Sequence, residues 1–305
     1  MIDTAIETIS LTKYYGKKVG CNDISISVER GEIFGLLGPN GAGKSTFIKL
    51  LTGLLYPTSG SGKILGMPLG DIKTKAMIGY LPENFKYQDW MTGTDLLSFH
   101  ASLLKLDKKE AIKRSDEVLD IVKLKGHEKY RVGTYSKGMQ QRLGLAAAIM
   151  AKPELLFLDE PTSALDPIGR KEVREIIRRL KSEGKTVLLN SHLLSEVETV
   201  CKSVAIINKG SIVTQESLDK LLSGALILEI EAQNINENIV NKLKEIDPLY
   251  KFTNDTISLS INNRDEIPDI ASMITQNGGR IYRLSPHGDT LESKFIRLVE
   301  GGDNL

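Results

Sequence analysis

Apolar residues in this chain follow two spacings that alternate along it. Short continuous apolar runs end the segment GEIFGLL at Leu36 and Leu37, fill Leu155 to Leu158 of ELLFLD, and form the middle of TVLLNSH at 186–192. Runs with no polar residue to turn toward water predict strands buried on both faces of a sheet. Between them, apolar residues recur at helical intervals. Phe47, Ile48, Leu50, Leu51, Leu54 and Leu55 make one such face, and GRKEVREIIRRLKSEG makes a helix between the last two strands. The alternation predicts an α/β core with a mainly parallel sheet. The opening segments AIETISLTKYYG and DISISVERGEIFGLLG predict antiparallel strands, with Glu29-Arg30-Gly31-Glu32 as a turn. Residues from about 85 to 150 differ from both. TDLLSFHASLLKL, KKEAIKRSDEVLDIVKL and KGMQQRLGLAAAIMA all carry helical spacing, which predicts a helical insert between two pieces of the core.

After residue 222 the order becomes strand ALILEIEA, helix ENIVNKLKEI, strands LYKFT and TISLSI around Asn254-Asp255, helix EIPDIASMITQN, strand RIYRLS and helix TLESKFIRLV. This β-α-β-β-α-β order with an added helix predicts a small ferredoxin-like α+β domain. Charge supports a boundary there. Residues 222–305 hold 8 basic and 13 acidic residues against 32 and 26 in residues 1–221, so the net charge changes sign at the proposed division. The expected domains are therefore 1–221 and 222–305, within the range that 305 residues allow.

Over the whole chain 40 basic residues nearly cancel 39 acidic ones, and no charge argument favours a nucleic-acid partner. Cys21 and Cys201 have no metal-type spacing and are too few for a disulfide framework, which implies a reducing, cytosolic setting. The first residues contain no apolar leader, and no apolar stretch approaches the length of a bilayer span. A soluble chain is expected, without internal repeats.

The candidate chemistry sits at the ends of the predicted strands. Gly38-Pro39-Asn40-Gly41-Ala42-Gly43-Lys44-Ser45-Thr46 lies between a buried strand and a helix, with the spacing of a phosphate-binding P-loop. In that context backbone N–H groups and a helix N-terminus converge on one anion, Lys44 reaches β and γ phosphates, and Ser45 holds Mg²⁺. A nucleoside triphosphate fits the loop. Asp159 and Glu160 follow the run Leu155–Leu158, and Pro161 stops the strand. Carboxylates at the carboxyl end of a buried strand in an open α/β sheet lie where ligands bind. Asp159 is the candidate Mg²⁺ ligand, and Glu160 the candidate base for a water attacking the γ-phosphate. His192 ends the next strand, where it can contact the γ-phosphate or orient that water.

GPNGAGKST, YSKGMQQR at 135–142, LLFLDEPTSALD at 155–166 and NSH at 190–192, in this order, closely resemble the nucleotide-binding subunits of ABC transporters. The resemblance covers residues 5–220. It implies that SKGMQQR, with Ser136 and Gly138, is the signature motif, that SALD with Asp166 is the D-loop, and that His192 is the switch histidine. Tyr15, between Tyr14 and Gly16, matches the position of an aromatic that stacks on adenine. Two positions depart from the family pattern. Lys137 replaces the first glycine of the signature, and Glu83 in GYLPEN stands where glutamine is common and faces Mg²⁺. An ionised glutamate cannot donate the hydrogen bond a glutamine can. Glutamate there is similar to exporter-type subunits with a C-terminal extension, whose tails often carry a helix like LESKFIRLV.

The signature also has a physical reading. Ser136 and Gly138 start a helix whose free N–H groups form an anion site. That site cannot serve the phosphate already cradled by the chain's own P-loop. The resemblance implies a head-to-tail dimer with a second nucleotide-binding subunit, identical or not, in which each signature completes the other's ATP site. It further implies an ATPase on the cytoplasmic face of the cell membrane that drives an integral-membrane permease. A genome-maintenance ATPase would need long heptads between Thr46 and Ser136, and none is present. A ribosome-associated factor would be expected to carry two cassettes. A GTPase would want Asn-Lys-x-Asp, but Asn208-Lys209 continues as Gly210-Ser211. The tail remains open between a spacer or dimer-stabilising domain and a ligand sensor.

Overall fold

The computed structural model describes residues 3–300 apart from 164, 223–225, 254, 262–263 and 288–289. The chain divides into two compact units, Met1–Leu218 and Asp219–Leu305.

In the first unit the core sheet runs in the order Ser211–Ser217, Ser203–Asn208, Ile33–Leu37, Thr186–Asn190, Leu155–Asp159, Ile78–Leu81. Neighbours are parallel except for the edge hairpin of Ser203–Asn208 with Ser211–Ser217. Every residue of Ile33–Leu37, Leu155–Asp159 and Thr186–Asn190 is buried, which is why these strands read as unbroken apolar runs. Register then sets the position of the chemistry. Leu36 pairs with Asn190, and Asn190 with Asp159, so the P-loop, the acid pair and the segment leading to His192 leave the sheet at one edge.

The long strand Thr4–Tyr15 pairs antiparallel with Lys18–Ile24, Ser27–Glu29 and Ser59–Ile64, and the last pairs with Met67–Pro68. The P-loop helix Lys44–Leu51 joins the two sheets. Its Phe47, Ile48, Leu50 and Leu51 pack with Phe34, Leu36 and Phe157 of the parallel sheet and with Ala5, Ile6 and Leu11 of the antiparallel one. Burial of such side chains is worth about 1.5–3 kcal/mol each, so the loop is anchored at both ends in the main core.

The expected helical insert consists of Gly93–Leu103, Lys108–Ile121 and Lys137–Ile149. Each start is specified locally. Thr92 with Asp95 and Asp107 with Glu110 form capping boxes, and the Ser136 hydroxyl accepts from the Met139 amide.

The second unit has the predicted ferredoxin-like order. Its sheet runs Lys251–Thr253, Thr256–Ile261, Leu226–Gln233, Arg280–His287, antiparallel throughout. Ile239 and Leu243 of helix Glu237–Ile246, with Ile270 and Ile274 of helix Ile267–Gln276, cover one face of the sheet and bury Leu228, Ile230, Ile257 and Leu259. The added helix is Leu291–Glu300. Asn254 of the predicted turn and Ala225 of the predicted strand lie outside the described residues.

Removing residues 222–305 is expected to leave a folded first unit that binds nucleotide as the full chain does, since the cavity described below is built entirely from residues 15–192. Thermal unfolding and calorimetry check this. A truncated chain that is unfolded, or that has lost nucleotide, overturns the division.

Candidate active site

The P-loop takes its shape from two close approaches that only glycine allows. A Cβ on Gly38 would lie 2.3 Å from the Ile207 carbonyl, and one on Gly43 would lie 2.3 Å from the Gly20 carbonyl. Gly43 also holds φ 106° at the N-cap of helix Lys44–Leu51, a left-handed conformation that glycine adopts without steric cost. The edge hairpin pins the loop from outside, where the Gly210 amide donates to the Ala42 carbonyl at 2.9 Å. Lys44 is buried and curls back onto its own loop, donating to the carbonyls of Gly38 at 2.7 Å and Pro39 at 3.1 Å. Burial lowers its pKa, while Glu160, Asp159 and Glu83 oppose that shift.

These carboxylates face the loop. Asp159, only 2% exposed, accepts a hydrogen bond from the Asn190 side-chain amide. Burial raises its pKa, the Asn190 bond lowers it, and the charge of Glu83 raises it further. Glu160 is 7% exposed and holds φ 53°, a backbone conformation unusual for a residue with a side chain. The turn is stabilised where the Glu160 amide donates to the Asn190 carbonyl at 2.9 Å. Glu160 Oε2 lies 2.7 Å from His192 Nδ1, so the two meet in direct contact. Burial raises the Glu160 pKa, and the neighbouring His192 and Lys44 pull it down.

One cavity of about 690 Å³ gathers Tyr15, Asn40, Gly41, Ala42, Gly43, Lys44, Ser45, Thr46, Glu83, Glu160 and His192. Asp159 does not line the cavity, but its carboxylate is bonded to Asn190, which does. Alternation along Thr4–Tyr15 separates the two tyrosines. Tyr15 lines the cavity, and the Tyr14 hydroxyl donates to Asn22 Oδ1 at 2.8 Å outside it. The remaining candidates are not in this cavity. Ser136, Lys137, Gly138 and Asp166 line a second one of about 340 Å³ with Arg142 and Leu165. There the Asp166 carboxylate caps helix Pro167–Ser182, accepting from the Gly169 amide at 2.7 Å, with Pro167 in the first turn. Ala164 of the SALD segment lies outside the described residues.

The chain matches the family model described as ABC transporter over residues 21–163. It is 36% identical over 306 residues to the bacitracin transport ATP-binding protein BcrA of Bacillus licheniformis, spanning 99% of each chain. Identity is also 36% over 304 residues to the linearmycin resistance ATP-binding protein LnrL of Bacillus subtilis strain 168, across 96% of this chain and 98% of that one. The chain belongs to the ABC transporter ATP-binding proteins. A solved structure described as the ATP binding subunit of an ABC transporter, 30% identical, superposes with a TM-score of 0.65 over 72% of this chain and 92% of its own. As a member of this family the subunit is a nucleotide-binding ATPase of a transport system. No helix among the described residues is long and apolar enough to cross a membrane.

The donor set of the ATP-binding subunit suits Mg²⁺. The Ser45 hydroxyl and the carboxylates of Asp159 and Glu83 are hard oxygens, and the Asn190 side-chain oxygen beside Asp159 is buried without a partner. Mg²⁺ typically takes one or two carboxylates plus substrate phosphates rather than an all-protein cage. Sequence reasoning missed Asn190 as a site residue, although it lies in the NSH segment. It also missed Lys18, Val19 and Gly20, which complete the cavity wall. Those three follow Tyr15 across a short turn into strand Lys18–Ile24, which the apolar pattern did not separate from its neighbour.

Proposed function

We propose that this subunit hydrolyses ATP as half of a head-to-tail dimer and powers a separate integral-membrane permease from the cytoplasmic face of the membrane. Export is the favoured direction, since BcrA and LnrL, named for bacitracin transport and linearmycin resistance, match nearly the whole chain. The observation that carries the reading is the meeting of Lys44, Glu160 and His192 in one cavity, with Ser136 and Gly138 in another. One anion site per cavity supports a second subunit better than a self-contained site.

In this reading Tyr15 stacks on adenine, and the amides from Asn40 to Thr46 cradle the phosphates. Lys44 exchanges the Gly38 and Pro39 carbonyls for β and γ phosphate oxygens. Glu160 accepts the proton of the attacking water, and His192 holds the carboxylate in place through Nδ1. Mg²⁺ held by Ser45 and Asp159, with Glu83 facing it, would supply charge neutralisation on the phosphates. Ser136 and Gly138 of the second subunit, another copy or a relative, complete the site, with Asp166 at the same interface.

Lys44→Ala is expected to weaken ATP binding by about 10- to 100-fold, the range for losing a charged hydrogen bond of about 1.5–3 kcal/mol. Calorimetry with unchanged affinity would contradict the P-loop assignment. The transport reading is tested by retrieving the tagged chain from detergent extracts. An integral-membrane protein is expected with it, and a soluble partner in its place overturns the reading.

A further inference from the structure

We propose that Lys13 is a positioning residue for the nucleotide base, holding the Tyr15 ring from the side turned away from the cavity. The inference rests on the reading of Tyr15 as the residue that stacks on adenine. Two residues apart on strand Thr4–Tyr15, Lys13 and Tyr15 share one face of the pleat. Lys13 Nζ lies 5.6 Å from the centroid of the Tyr15 ring, inside the reach of about 6 Å for a cation on an aromatic face. The same ammonium donates at 2.7 Å to the Tyr56 carbonyl, which fixes where the charge sits. Tyr15 contributes to the cavity wall and neither Lys13 nor the Tyr56 whose carbonyl holds its ammonium does, which leaves the cavity side of the ring for a base.

The ring is confined at its edge as well. A Cβ on Gly20 would come within 2.8 Å of Tyr15 Cε2, so the ring lies directly against that backbone. Tyr15 is nonetheless 46% exposed. An aromatic side chain that exposed is free to turn between rotamers and would lose that freedom when a base stacks on it. With Lys13 over one side and Gly20 at the edge, much of that ordering is complete before nucleotide arrives.

The test compares ATP with inorganic tripolyphosphate, which offers phosphates and no base, on the full chain. Lys13→Met keeps the aliphatic stem and removes the charge, and Lys13→Arg restores a cation that can stack and donate. Lys13→Met is expected to weaken ATP about two- to fivefold, the equivalent of about 0.5–1 kcal/mol, and to leave tripolyphosphate unchanged. Lys13→Arg should recover most of the loss, and Lys13→Met should have no further effect once Tyr15→Ala is present. If Lys13→Met leaves ATP affinity intact while Tyr15→Ala weakens it, the role of Lys13 is overturned and that of Tyr15 stands. If Tyr15→Ala itself has no effect on ATP, the stacking assignment falls and the Lys13 proposal with it. Equal losses for ATP and tripolyphosphate, or a Lys13→Met effect that persists without Tyr15, assign Lys13 to holding the fold and overturn the proposal.

Discussion

Glu160→Gln is expected to retain ATP and to lose about 10²- to 10⁴-fold in turnover, the usual contribution of a positioned general base. The amide has the carboxylate's shape, so the turn at φ 53° and the bond from the Glu160 amide to Asn190 are unaffected. It can still accept or donate toward His192 Nδ1, now 2.7 Å from Oε2, but it cannot take a proton from water. Replacing a buried carboxylate that burial already disfavours by a neutral group removes a desolvation cost, so thermal stability should be equal or higher. The variant should accumulate as an ATP-bound dimer. If Glu160 and His192, in contact at 2.7 Å, act as one unit, His192→Ala added to Glu160→Gln should cost far less than it does alone. Wild-type acidity has a visible consequence too. Burial raises the Glu160 pKa, so the base should be lost on acidification at a higher pH than an ordinary glutamate would allow, and Glu160→Gln should erase that limb. Multi-turnover hydrolysis near wild type would remove Glu160 from the role of base.

The parts of this site that could be read from the chain are those whose cause is local. Gly38 and Gly43 stand at the fixed spacing of the P-loop, although the carbonyls that exclude a side chain there, of Ile207 and Gly20, come from other segments, and Asp159 and Glu160 break an apolar run that has no other reason to end in two acids. Asn190 escaped because its role depends on register. Only the pairing of Thr186–Asn190 with Leu155–Asp159 brings its amide to Asp159, and an asparagine after an apolar run otherwise reads as a turn. Asp166 was legible only through the SALD resemblance, and its cap on helix Pro167–Ser182 leaves its place beside Ser136 and Gly138 in the second cavity unchanged. In the fold, Ser59–Ile64 carried no signal because only Ile64 of SGSGKI is buried, and the strand is held by its backbone ladder to Thr4–Tyr15. Strands Ile78–Leu81 and Ser203–Asn208 also went unassigned. Ile78–Leu81 is four residues long with only Gly79 and Leu81 fully buried, whereas Val204–Ile207 is a buried apolar run with the same signal as the three strands that were marked.

Gly138→Asp is expected to separate ATP binding from ATP hydrolysis. Gly138 lies in the first turn of helix Lys137–Ile149, and a Cβ there would meet Leu165 Cδ2 at 3.8 Å and Ser136 Oγ at 3.9 Å, ordinary contacts. An aspartate in that turn also favours the helix by about 0.3–1 kcal/mol through the dipole, so folding should survive. The P-loop cavity shares no lining residue with this one, so the monomer should bind ATP with near-normal affinity. What changes is the surface offered to a second subunit. If Ser136 and Gly138 meet the γ-phosphate bound by the opposite P-loop, the added carboxylate stands where an anion must sit. Like charges about 4 Å apart repel by about 4 kcal/mol at an effective dielectric constant of about 20, and about 1.4 kcal/mol is already tenfold in affinity. ATP-dependent dimerisation and hydrolysis should therefore both be lost, as sizing in the presence of ATP and phosphate release would record. Mixing with Lys44→Ala sharpens the test. A mixed head-to-tail dimer has one site with both defects and one with neither, so hydrolysis should return in the mixture although each variant alone is inactive. If Gly138→Asp instead abolishes ATP binding by the monomer, the signature belongs to the chain's own site and the head-to-tail dimer must be abandoned.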